Sequence, residues 1–106
     1  MKEYNKLVRD KIPEIIENNG NDYEVEKLDN ESYLESLNKK LKEELDEYLE
    51  SGEISELADL VEVIYAILDH QGISREEFEK IRLDKKEERG GFAEKLFLLR
   101  AEPREE

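Results

Sequence analysis

Leu34, Leu37, Leu41, Leu45 and Tyr48 recur at helical spacing and fall within about 80° of arc on an α-helix. Such a stripe commits the segment to an amphipathic helix, expected from about Asn30 as its N-cap to about Leu49. Ser51-Gly52 breaks that run, and a second run from Ile54 to His70 is apolar around more than half of its circumference, closing at Gly72. Two long helices joined by so short a connection must be antiparallel neighbours. The second should be central and largely buried. A helical hairpin is therefore the frame on which the rest must fit.

The flanking elements are shorter. Leu7, Val8, Ile12, Ile15 and Ile16 keep helical spacing, and Pro13 lies early enough to sit in a first turn. A helix over 12–18 follows, ended by Asn18-Asn19-Gly20-Asn21. Ser74-Arg75-Glu76-Glu77 has the capping-box pattern and opens a helix to about Glu88, stopped by Gly90-Gly91. Residues 23–28 alternate weakly and 92–99 are apolar, so a short strand pair can come from these segments. The expected fold class is all-α, a single domain over 1–106 with that strand pair as its one β feature.

Composition sets the limits. With 37% apolar and 44% charged residues in 106, one copy of the chain can bury only a thin core. Assembly into a homodimer or higher homo-oligomer would complete the helical bundle. The net charge of −13 repels nucleic-acid polymers and anionic membranes. It leaves a nucleotide open, because divalent cations reverse the field around clustered carboxylates. Cysteine is absent, which excludes disulfides and thiolate chemistry. The longest apolar run, Val63 to Leu68, is far short of the roughly 20 residues of a membrane span. Met1-Lys2-Glu3-Tyr4 carries no signal-peptide pattern, so a cytoplasmic location is expected.

The chemistry lies in the acids. Glu44 and Glu47 stack at i and i+3 along one edge of the first long stripe. Taken alone, they read as a solvated acidic face. Glu56, Asp59 and Glu62, however, interrupt the apolar second run at i, i+3 and i+6, and Val63 and Ala66 surround Asp59 on the next turn. An ionised carboxylate in such surroundings is costly unless paired or bound to a cation. Lys39, Lys40 and Lys42 are too few to neutralise all these acids. Across the hairpin Glu44 and Glu47 face Glu56 and Asp59, and four oxygen donors suit a hard cation, Mg²⁺ with Mn²⁺ as substitute.

Glu43-Glu44-x-x-Glu47 followed by Glu56-x-x-Asp59 resembles the signature of the all-alpha NTP pyrophosphohydrolase superfamily, which includes MazG-like enzymes. The opening Asn5-Lys6-Leu7-Val8-Arg9-Asp10-Lys11-Ile12-Pro13 and the closing Lys85-Lys86-Glu87-Glu88-Arg89-Gly90-Gly91-Phe92 are similar to motifs of its phosphoribosyl-ATP pyrophosphohydrolase-like subgroup. The resemblance implies a Mg²⁺-dependent enzyme that attacks the α-phosphorus of a nucleoside triphosphate with water and releases the monophosphate and pyrophosphate. House-cleaning of non-canonical or excess nucleotides is the implied role. It implies Glu44, Glu47, Glu56 and Asp59 as ligands, with Glu43 an occasional fifth member of the catalytic set. The gap between the two acidic motifs is shorter than in many such enzymes and implies a tight turn without an inserted lid.

Arg9 and Lys11 at one end, and Lys85, Lys86 and Arg89 at the other, are candidate phosphate clamps, with Lys40 beside the acids as a further substrate contact. Arg9 and Arg89 stand inside the family-like motifs, whereas any single lysine reads sooner as surface charge. Gly90-Gly91 reads equally as a helix stop or as a close backbone approach to a phosphate, His70 as a helix C-terminal residue, and Tyr65 and Phe92 as core. Two rivals remain at this level. One is the phosphoribosyl-ATP pyrophosphohydrolase of histidine biosynthesis, which makes the same cleavage. The other is a non-catalytic acidic helical interaction module.

Overall fold

The structure, a computed structural model, describes residues 2–104. Four helices occur in it: α1, Ile12–Asn18; α2, Asn30–Ser51; α3, Ile54–His70; and α4, Arg75–Arg89. The chain divides after Ser74 into two compact units, the first holding α1 to α3 and the second α4 with the chain beyond it.

The helix ends follow local chemistry. Pro13 lies in the first turn of α1, where its missing N–H costs no hydrogen bond. The cap of α2 is Asp29 rather than the expected Asn30: its carboxylate accepts the Ser32 N–H at 2.8 Å from an extended backbone, and Asn30 becomes the first helical residue. Helix α2 also runs two residues past Leu49, to Ser51, and stops at Gly52. That glycine has φ 68°, a left-handed conformation costly for a residue with a Cβ, and its N–H closes on the Tyr48 carbonyl at 2.7 Å.

Helices α2 and α3 pack on each other as the expected antiparallel pair. Tyr33, near the start of α2, meets His70, at the end of α3, with ring centroids 5.5 Å apart in an edge-to-face arrangement. The apolar core between them is thin, as the composition requires: Leu37 is 2% exposed, and Val63 and Leu68 are also buried. The expectation of a largely buried α3 does not hold. Val61 is exposed and Ile54 is 76% exposed, because α2 is the helix that packs on α3 within this unit and one neighbour covers one side.

In the second unit, α4 is an exposed helix held along its surface by i,i+3 and i,i+4 pairs, Arg82 with Glu79 and Lys80 with Asp84. Phe92, expected in the core, is 98% exposed, and Leu96 to Leu99 are exposed too. Tyr65 is partly buried. Among the described residues there is no strand: 23–28 are irregular, and 92–99 begin with a turn closed by the Lys95 N–H on the Phe92 carbonyl. An extended segment becomes a strand only when a neighbour completes its backbone ladder. Among the described residues no helix is long and apolar enough to cross a membrane.

Candidate metal centre

The Gly52 turn places the acid-bearing ends of α2 and α3 side by side. Glu43, Glu44 and Glu47 can each offer an oxygen to a common point, these atoms lying within 4.8 Å of one another. Glu44, Glu56 and Asp59 do the same across the helix pair, and Glu44 belongs to both groups. The four carboxylates read from the sequence as ligands are thus brought together, with Glu43 adjoining them.

Glu44 is the centre of this arrangement. Its residue is 7% exposed, and its Oε2 is buried without a hydrogen-bond partner. Its Oε1 lies 3.5 Å from the Lys40 ammonium. Burial pushes the Glu44 carboxyl above the ordinary glutamate range, and the charges of Glu47 and Asp59 push the same way against Lys40. Glu56 is raised as well, by desolvation first and then by the neighbouring Glu47. Glu43 moves the other way: the Lys6 ammonium donates to its Oε1 at 2.9 Å and holds the carboxyl low, while the Lys6 amine is raised by the same bond.

Two expectations about individual residues need correction. The costly buried carboxylate is Glu44, whereas Asp59 has a side chain 41% exposed and accepts a 2.7 Å hydrogen bond from Arg9 Nη2. The reason is position: Glu44 is buried on α2, whereas Asp59 faces the cleft beneath the segment before α1. Lys6 was not singled out among the bases, though it stands in the opening motif beside Arg9. Its acidic partner lies far along the chain, so spacing carries no signal for it.

The segment before α1 crosses the hairpin through Lys6 on Glu43 and Arg9 on Asp59. A cleft of about 370 Å³ opens between this segment and the two helices. Arg9, Lys11 and Lys40 line it together with Glu44 and Asp59, and Leu7, Val8, Tyr33 and Leu37 supply an apolar wall. Three of the six expected substrate contacts are therefore gathered at the acids. Lys85, Lys86 and Arg89 are exposed side chains near the end of α4 and belong to the second unit.

The donor set fits a hard divalent cation. All its members are carboxylate oxygens, and the orphaned Glu44 Oε2 is a buried carboxyl oxygen that protein donors leave unsatisfied. Comparison with protein-family models, with curated proteins and with solved structures finds no match for this chain.

Proposed function

We propose that this protein is a Mg²⁺-dependent nucleoside triphosphate pyrophosphohydrolase of the MazG-like type, releasing a nucleoside monophosphate and pyrophosphate. The observation that carries the reading is Glu44 Oε2, buried and without a hydrogen-bond partner where two groups of carboxylates meet. Glu44, Glu47, Glu56 and Asp59 would hold the cation. When bound, Mg²⁺ supplies the positive charge that phosphate oxygens and an attacking water need in so acidic a setting. Arg9, Lys11 and Lys40 orient the phosphates along the cleft, and a carboxylate of the cluster accepts the proton of the attacking water. The apolar wall of Leu7, Val8, Tyr33 and Leu37 excludes water on the side where a base can lie. The test is pyrophosphate release across canonical and modified nucleotides, and phosphoribosyl-ATP, with Mg²⁺ and with EDTA. Turnover that survives EDTA, or no turnover on any substrate, overturns the reading.

Self-association belongs to the same proposal. Leu45, Leu49, Ile54 and Val61, on the paired helices α2 and α3, are exposed beyond what the thin core of one copy uses. A second copy burying these positions would complete a helical bundle. Ile54→Asp combined with Val61→Asp is expected to convert the assembly to monomer in sedimentation velocity runs, with helical content kept. A wild type that sediments as a monomer at all concentrations removes this part of the proposal.

A further inference from the structure

Asp59 has two suitors. Its carboxylate belongs to the group with Glu44 and Glu56 that converges on a common point, and the same carboxylate receives the Arg9 guanidinium at 2.7 Å. Arg9 reaches it from the segment before α1, far away in sequence, and the Arg9 side chain is 57% exposed, so the contact is free to open towards the cleft it lines. The other two bases at the cluster are placed differently. Lys6 engages Glu43, and Lys40 lies between Glu43 and Glu44, so among these bonds only that of Arg9 falls on Asp59. Two positive charges drawn to one carboxylate at the edge of a common cation point oppose each other.

We infer that Arg9 is a competing counter-cation for the carboxylate site: divalent cation binding releases Arg9 from Asp59, and the freed guanidinium turns into the cleft to take substrate phosphate. The inference rests on the metal reading given above and adds an order to it, cation before phosphate clamp. A guanidinium suits both tasks, because its planar fork binds carboxylate and phosphate oxygens with the same geometry. Cation loading thereby switches Arg9 from an acid of the protein to the anion of the substrate. Lys6 does not make this exchange while its own bond is to Glu43, and Lys40, on α2 beside Glu43 and Glu44, makes no bond to Asp59.

The experiment is a titration of the full chain with Mn²⁺ alone, followed by the loss of the free-ion electron spin resonance signal, without nucleotide. Removing the competitor in Arg9→Gln is expected to lower the Mn²⁺ dissociation constant about fivefold, the upper end for a half-exposed ion pair. Lys11→Gln removes the same charge from the same cleft and should change the constant by about twofold or less, while Arg9→Lys should stay near wild type. Circular dichroism checks that each variant keeps its helices. No tightening in Arg9→Gln, or equal tightening in Arg9→Gln and Lys11→Gln, overturns the competition while leaving the metal site standing. If neither wild type nor Arg9→Gln takes up Mn²⁺, the metal reading falls and the competition falls with it.

Discussion

Asp59→Ala is expected to lower pyrophosphate release by more than about 100-fold at saturating Mg²⁺, since cation-assisted attack contributes several kcal/mol to the barrier. The size follows from where the carboxylate stands. Asp59 completes the group with Glu44 and Glu56, the set of donors that joins α3 to α2. Its side chain is 41% exposed, so helical content and cooperative melting should survive the truncation. That separation of function from stability makes the variant informative. The loss should lie in kcat as well as in kcat/KM, because a displaced cation removes charge where it develops during reaction. Turnover within about threefold of wild type in well-folded Asp59→Ala protein would remove Asp59 from the mechanism.

The second large effect concerns stability. Glu44→Gln is expected to melt several degrees above wild type in EDTA near pH 7.5, on the order of 5 °C for about 1 kcal/mol in a chain of this size. The buried anion of wild type leaves Oε2 unsatisfied among other carboxylates, and the neutral amide keeps its shape without its charge. The sign of the pH dependence is fixed by the raised carboxyl. A group raised in the folded state binds its proton more tightly there than in the unfolded chain. The stability it contributes is therefore present below the ordinary value of 4.5 and lost as pH rises through the raised folded value. The advantage of Glu44→Gln should shrink as pH falls from 7.5 through the raised folded value, where wild type regains its proton. Glu56 acts in the same sense, whereas Glu43, held low by Lys6, contributes stability that is lost as pH falls. Comparing variant with wild type at each pH cancels the Glu43 contribution, whereas that of Glu56 falls in the variant, because the Glu44 charge is one of its causes. Added Mg²⁺ should raise the melting temperature of wild type more than that of Glu44→Gln, by mass action on the folded state. A difference between the two proteins that is flat across this pH range would mean that the Glu44 carboxylate is not desolvated.

Much of the hairpin was legible in the residues. The stripe from Leu34 to Tyr48, the Ser51-Gly52 break and the run from Ile54 to His70 yield α2 and α3 with little error, because amphipathic period and a left-handed glycine are local signals. Helix α1 falls where Pro13 and the Asn-Gly turn place it, and α4 ends one residue past Glu88. What depends on neighbours was not legible. The apolar girth of α3 led to an expectation of a buried helix, yet a sequence does not reveal how many partners will cover its faces. For the same reason 92–99 looked like a strand and Phe92 like core. At the site, i and i+3 spacing on each helix and the short Ser51-Gly52 connection between them led to the expectation that Glu44 and Glu47 face Glu56 and Asp59. The structure joins Glu47 and the pair Glu56 and Asp59 through Glu44. Spacing did not rank them by burial, because that ranking depends on how the two helices rotate against each other. Nor did it reveal Lys6 on Glu43, a contact between distant parts of the chain.

The Gly52 turn also has a consequence for the time course of folding. The proposed ligands all lie within residues 44–59, so closing the turn assembles the carboxylates through short loops, the fastest contacts a chain can make. Lys40 is already at hand on α2, but the other counter-charges arrive by slower routes, Lys6 across 37 residues and Arg9 across 50. The nascent hairpin therefore concentrates negative charge before the N-terminal segment can neutralise it. Ionic strength and divalent cations should act on the folding rate itself, screening a cluster that the finished fold holds in check with its own bases.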